Sequence, residues 1–250
     1  MNILPDVKYL RIGKNVGFAG GINFGLKKAI EDNYLDFIIV NNDILFPKEG
    51  FSSLLDFGRK SHKIGIISPK IYFAKGFEFH KKRYKDYELG KVLWYAGGIV
   101  DWRNVYAYHR GVDEVDLYQY HKPIETDYAT GCFMYIKKEV FDKVGYFDEK
   151  YFMYLEDADF SIRAKKRGFS VYYYPDNFIW HKNAVSSEGA GSDLHVYYQT
   201  RNRMYFGMKY ASFSAKKSLI WESIKFIMKD EVRRHAIFDY YFSNMGKRQV

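Results

Sequence analysis

The sequence predicts an α/β fold: a mixed, mostly parallel sheet flanked by helices, with a helical extension at the C-terminus. Three observations carry this. Strand-length apolar runs alternate with amphipathic helical segments through the first seventy-odd residues, the pattern of strand–helix–strand units with right-handed crossovers. The run "DFIIVNND" at 36–43 is apolar up to its polar end, as expected of a strand buried on both faces. Helical spacing dominates from Asp193 to about Lys209 and from about Ser214 to the end.

In chain order, "VKYLRI" at 7–12 reads as a strand, and the glycine-rich "GKNVGFAGG" opens a helix that ends near Asn33. After the 36–43 strand, Pro47 marks a helix start, with an apolar set at 51, 54, 55 and 57. "KIGIISPKIYF" returns as a strand. Residues 74–127 are aromatic and charged, in short strand-like pieces that suit a meander over one end of the sheet. "ATGCFMYIKKEVF" gives a strand and a short helix. "YLEDADFSIRAKKRG" is a helix with acids at its start, bases at its end and Gly168 as C-cap, matching the helix dipole. "FSVYYYP" and "NFIWHK" are two extended pieces.

The chain has 250 residues and 47% hydrophobic content, enough for one compact domain with an appendage. Cys132 is the single cysteine, which excludes an internal disulfide framework and fits a reducing compartment. No apolar run reaches the ~20 residues that span a bilayer and no signal peptide is visible, so a cytoplasmic protein, soluble or at the inner face of the membrane, is expected. A net charge of +9 leaves room for an anionic partner, although dispersed basic runs such as these more often form solvated faces. Because Lys and Arg are dispersed and no nucleic-acid motif is present, nucleic acid is not the expected one. The stretch "LIWESIKFIMK" near the C-terminus has a broad apolar face with lysines nearby. It suits either a helix folded back on the core or peripheral contact with an anionic membrane.

Ligands of such sheets bind outside the carboxyl ends of the strands, where Asn41, Asn42 and Asp43 fall. A carboxylate beside bound phosphates suits a divalent cation, although the tripeptide also suits an Asx turn or helix cap. Glycines at 17, 20, 21 and 25 before a helix let a backbone approach an anion, or simply form a tight turn. Glu156, Asp157 and Asp159 cluster at a helix start, where acids either cap or take a proton from an incoming hydroxyl. Glu156 and Asp159 share a helical face that Asp157 does not. His181 follows a strand and could ligate a metal or be structural. Arg201 and Arg203 could pair with phosphate or form an interior salt bridge.

Taken in order, "NVGFAGGINFGL", "IIVNND", "ATGCFMYIKKEVFDKVGYFDEKYFMYLEDADFSIRAKKRGF", "YYYPDNFIWHKNAVSS" and "YYQTRNRMYF" resemble a family-2 glycosyltransferase of the GT-A fold, near the rhamnosyltransferase-like branch. The resemblance covers roughly 15–60 and 128–210. It implies an inverting transferase that moves a sugar from a nucleotide-diphosphate donor to a saccharide or lipid-linked acceptor in cell-surface polysaccharide synthesis. Asn41-Asn42-Asp43 resembles the family's Asp-x-Asp motif, so Asp43, with His181, would hold Mn2+ or Mg2+ on the donor phosphates. Gly17, Phe18, Gly20, Gly21 and Asn23, with Asn41, Asn42, Thr130 and Gly131, would face the donor. Asp157 matches the catalytic base, and Glu156, Asp159 and Arg201 would lie on the acceptor side or support it.

Residues 1–210 would form the catalytic domain and 211–250 a basic helical extension. Family members usually carry another strand–helix–strand unit before the glycine-rich turn, with residues that grip nucleobase and ribose. Only "MNILPDVKYLRIGK" stands there, implying a fragment, a misassigned start or a unit supplied by another polypeptide. Rival readings are a truncated, inactive transferase-like binding or scaffolding protein, a nucleic-acid binder and a metal-dependent phosphoesterase.

Overall fold

The computed structural model of the chain describes residues 7–183 and 191–248. Helix α1 (Gly17–Glu31) is followed by β1 (Asp36–Val40), β2 (Ile44–Leu45), α2 (Ser52–Arg59) and β3 (Ile64–Phe73). The middle segment holds β4 (Leu93–Tyr95), β5 (Gly98–Asp101), β6 (Tyr106–His109) and β7 (Ile124–Glu125). Then come β8 (Phe133–Lys137), α3 (Lys138–Val144), α4 (Glu156–Lys166) and β9 (Ser170–His181). Three helices follow: α5 (Asp193–Tyr210), α6 (Phe213–Lys229) and α7 (Glu231–Tyr241).

A seven-stranded sheet runs β1-β8-β3-β9-β2, with β4 on β3 and β7 on β9. β1 and β3 both run antiparallel to β8, and β9 runs parallel to β3. Hence β1, β3 and β9 share one direction, and their carboxyl ends reach one edge of the sheet. The mixed α/β sheet is as expected, but its mostly parallel pairing is not: β3–β9 is the parallel pair among the described strands. The reason is β8, which enters from the middle segment and separates two strands of like direction.

β1 is covered on one face. Phe37 and Ile39 join a cluster with Leu26, Ile136 and Phe141, whereas Ile38 and Val40 are exposed. The other face stays open because α2 packs over β3 and β9, so the expectation of burial on both faces is corrected. Residues 7–12 form no strand; they are mostly exposed and tied by the Lys8–Asp32 ion pair. α2 begins at Ser52 rather than at Pro47, because Gly50 takes a φ of 71° that breaks any earlier helix. "FSVYYYP" and "NFIWHK" are one strand with a bulge: Pro69 pairs with Tyr174 and Lys70 with Phe178, leaving 175–177 looped out. Asn177 anchors the bulge, donating to the Gly50 carbonyl and accepting from Ser53. The helical tail is two helices, split at Asp230, whose carboxylate caps α7 through the Arg233 N–H. Leu219 and Ala215 of α6 pack with Met204 and Val105, and Ala236 of α7 packs with Tyr197 and Tyr198 of α5.

Candidate active site

The turn before α4 is backbone-strained. Phe152, Tyr154 and Leu155 all have positive φ, between 64° and 71°, a conformation that costs of order 1–3 kcal/mol per non-glycine residue and persists only where the surroundings enforce it. Here α5 supplies the enforcement. Asn202 Nδ2 lies 2.7–3.0 Å from the carbonyls of Tyr151, Met153 and Tyr154. The fully buried Arg201 guanidinium donates to the carbonyls of Lys150, Tyr151 and Gly246. Replacing Asn202 by Ala would remove its bonds to all three carbonyls, that of Tyr151 keeping its Arg201 donor, and a loss of about 1–3 kcal/mol is expected in chemical denaturation.

The strained turn presents Asp157 in the first turn of α4. Its Oδ2 accepts from the Gly131 N–H at 2.9 Å, and its Oδ1 from the Ala158 N–H at 2.8 Å. Burial raises its pKa, and these amides partly offset the rise. Glu156 beside it is buried, and burial first, then the Asp157 charge, pushes its pKa up to about 8. A carboxylate held protonated by the fold makes stability fall as pH rises from the ordinary glutamate range towards about 8. Glu156→Gln should flatten that decline, measured as Tm across the window.

At the end of β1, Asp43 is buried and its Oδ1 lies 3.2 Å from His181 Nε2. The pairing of β2 with β9, Ile44 against His181, fixes this approach. Burial lowers the His181 pKa despite the Asp43 charge, so the imidazole is neutral and keeps a lone pair. Its Nδ1 is buried with no hydrogen-bond partner among the described residues. Two ligand atoms at ~2.1 Å from Mg2+, in neighbouring octahedral positions, stand about 3 Å apart. A carboxylate and a neutral imidazole at the observed spacing therefore fit a divalent cation.

The two halves meet through one backbone segment. Asp157 accepts from Gly131, and the carbonyl of the next residue, Cys132, accepts from the Asn41 N–H at 3.1 Å. The buried Cys132 thiol feels burial first and then both carboxylates, Asp43 and Asp157, all of which raise its pKa. Asp43, His181 and Asp157 thus lie at the same sheet edge, where the carboxyl ends of β1 and β9 meet the amino end of β8.

Other predicted residues divide between site and scaffold. Asn41, Asn42, Thr130 and Gly131 lie in this edge, and the Phe18 ring packs against Gly131 so closely that a Cβ there would sit 2.9 Å from Cζ. Three residues expected on the donor side make scaffold contacts. Asn23 is buried with its amide saturated, donating to the Phe147 carbonyl and Glu149 and accepting from the Phe147 N–H. Gly17 has a φ of 75° and abuts Phe152, where a Cβ would come within 2.3 Å of the carbonyl oxygen. Gly20 faces Val16. Gly17 seats α1 against the strained turn and Asn23 ties it to the Phe147–Glu149 segment just before, while Gly21 has open space around it. Gly17→Ala should lower Tm by several degrees, through left-handed backbone strain of ~1–2 kcal/mol plus the clash.

Asp159 is fully buried and accepts from Tyr151, Arg163, Lys209 and Tyr210; against burial, Arg163, Lys209 and Tyr210 hold its pKa below the usual range. It braces α4 against α5 and is no acceptor contact. Arg201 is likewise a brace, its donors spent on carbonyls rather than on phosphate. Arg203 pairs with Glu222 at 2.7 Å.

Sequence reasoning missed Asn202 and the wall behind His181. The Trp94 ring lies 4.5 Å from the His181 ring and 4.2 Å from His109, whose Nδ1 is 3.0 Å from the Trp94 carbonyl. These contacts fix the imidazole plane. The only sequence signal was the aromatic density of the middle segment. A surface recess of about 300 Å3, lined by Trp102, Asp127, Ile162, Lys165 and Lys166, lies at the other end of α4 and holds none of the predicted residues.

A sheet whose carboxyl edge gathers an acid–imidazole pair and a helix-start carboxylate has the layout of the GT-A fold. One solved structure, GalNAc-T7 with UDP, GalNAc and Mn2+, superposes with a TM-score of 0.55 over 88% of this chain and 44% of that one, at 15% identity, a likeness of fold. Residues 2–207 match the family described as glycosyltransferase like family 2, and the chain belongs to it. Among curated relatives, the low-salt glycan biosynthesis hexosyltransferase Agl10 of Haloferax volcanii is 26% identical over 199 residues, 79% of this chain and 59% of the relative. The N-acetylglucosaminyl-diphospho-decaprenol L-rhamnosyltransferase of Mycobacterium tuberculosis is 25% identical over 201 residues, 73% of this chain and 61% of the relative. The chain thus spans about three fifths of the length of these relatives.

Proposed function

We propose that the chain is the catalytic part of an inverting sugar transferase, using a nucleoside-diphosphate hexose or deoxyhexose such as rhamnose and a saccharide or lipid-linked acceptor. The observation that carries this is the hydrogen-bonded path Asp157–Gly131–Cys132–Asn41, which sets the proton acceptor and the Asp43–His181 pair at one edge. Family membership and relatives named as hexosyl and rhamnosyl transferases, one acting on a decaprenol-linked sugar, support the same reading.

Asp43 and His181 would hold Mn2+ or Mg2+. When bound, the cation neutralises charge on the diphosphate leaving group. Gly131, whose missing side chain admits the Phe18 ring, keeps the carboxylate aimed through its N–H on Asp157. Asp157 takes the proton of the acceptor hydroxyl as its oxygen bonds to the anomeric carbon from the face opposite the phosphate. The anomeric carbon–oxygen bond breaks, nucleoside diphosphate leaves, and the anomeric configuration inverts. A raised pKa makes Asp157 a better proton acceptor than a solvated aspartate.

Incubating the purified chain with a panel of nucleoside-diphosphate sugars and polyprenyl-linked acceptors, with and without Mn2+, tests the reading. Mn2+-dependent release of nucleoside diphosphate with glycosylated product is expected. Donor binding without release or product from any pair would make the chain a binding module instead.

A further inference from the structure

We propose that α6 is a membrane-surface helix, docking the protein on an anionic bilayer through its outward face. This rests on the surface of α6 and not on the transfer reading. α6 spans 17 residues, about 26 Å of helix. Its inward stripe, Ala215, Leu219 and Ser223, is buried and makes the contact with the body of the protein. On the opposite side Phe213, Ile220, Trp221, Ile224 and Met228 fall within an arc of roughly 100° at 3.6 residues per turn. All five are exposed, Trp221 by 68% and Met228 by 80%. A helix packed on a core would bury its larger apolar side. This one buries the smaller and shows the larger to the outside.

Charge identifies the occupant. Residues 209–248 carry nine Lys or Arg against four Asp or Glu. Three of those acids are engaged within the protein: Glu222 with Arg203, Asp230 with Arg233, and Asp239 with Tyr197. Lys216 borders the apolar arc on one side, Lys225 and Lys229 border it on the other, and Lys217 falls within it, 4.6 Å from the Phe213 ring. A linear apolar stripe edged by lysines, with an indole in it, matches the depth profile of an anionic bilayer surface, apolar below and negative at the headgroups. A second copy of the same face would bring those lysines against one another. Among the described residues no helix is long and apolar enough to cross a membrane, so the contact is at the surface.

Flotation of the full chain with vesicles of phosphatidylcholine and phosphatidylglycerol tests this. Binding is expected to the mixed vesicles and to be lost with phosphatidylcholine alone. Lys225→Gln with Lys229→Gln should weaken partitioning roughly thirtyfold, at about fivefold per lysine. Trp221→Glu with Met228→Glu should abolish flotation while the melting temperature stays unchanged, since both side chains are exposed. No flotation of the wild-type chain, or flotation insensitive to the double glutamate variant, would overturn the proposal. Concentration-dependent dimerisation lost in that variant, without vesicle binding, would assign the face to a second copy and overturn it equally.

Discussion

Asp157→Asn is expected to reduce sugar transfer by about 10²- to 10⁴-fold, the range for loss of a positioned general base. Asparagine keeps the shape of the side chain and, through its amide oxygen, can still accept from the Gly131 N–H that now meets Oδ2 at 2.9 Å. It loses the negative charge that takes the proton and, with an NH2 in place of Oδ1, the bond accepted from the Ala158 N–H at 2.8 Å. Because burial disfavours that charge, its removal offsets the lost Ala158 bond, and stability should change little. The pairing of lost turnover with a little-changed melting temperature separates a chemical role from a structural one. Donor affinity, measured by titration calorimetry, should be nearly unchanged. Normal turnover by this variant would refute the assignment.

Asp43→Ala should weaken Mn2+-dependent binding of nucleoside diphosphate by more than the roughly 10–100-fold typical of losing an outer-shell partner. The neutral His181 would remain, but a single imidazole supplies no charge to offset the cation. Binding measured without metal should change little, so the effect should appear as a loss of the Mn2+ increment. Unchanged affinity with Mn2+ would remove Asp43 from the site.

Much of the fold was legible because its signals are local. The acids and bases of "EDADFSIRAKKRG" agree with the helix dipole, and Gly168 does cap α4, with a φ of 87°. The elements that failed are those decided by distant partners. The place of β8 between β1 and β3 is set by pairing over about a hundred residues, and nothing in "FMYIK" announces its direction. Whether "IIV" is covered on one face or two depends on where α2 lands. The residues that divided between site and scaffold show the same limit. Gly17 and Asn23 occupy a motif suited to phosphate, yet their conformation and hydrogen bonds serve the Phe147–Phe152 segment. Asn202 looks like any polar helix residue until the strained turn it satisfies is seen. Asp43, His181 and Asp157, each of which alone equally suits a turn, a cap or a structural imidazole, were singled out by the family resemblance of the stretches that hold them.

The central claim is that one cleft holds a metal-binding pair and a proton acceptor contributed by remote parts of the chain. Its most direct test is a crystal structure of the protein soaked with Mn2+ and a nucleoside diphosphate, read by anomalous scattering at the manganese edge. A single strong peak in contact with both Asp43 and His181 is expected, with the diphosphate on the side facing Gly131 and Asp157. A peak ligated elsewhere, or none at saturating Mn2+, would contradict it.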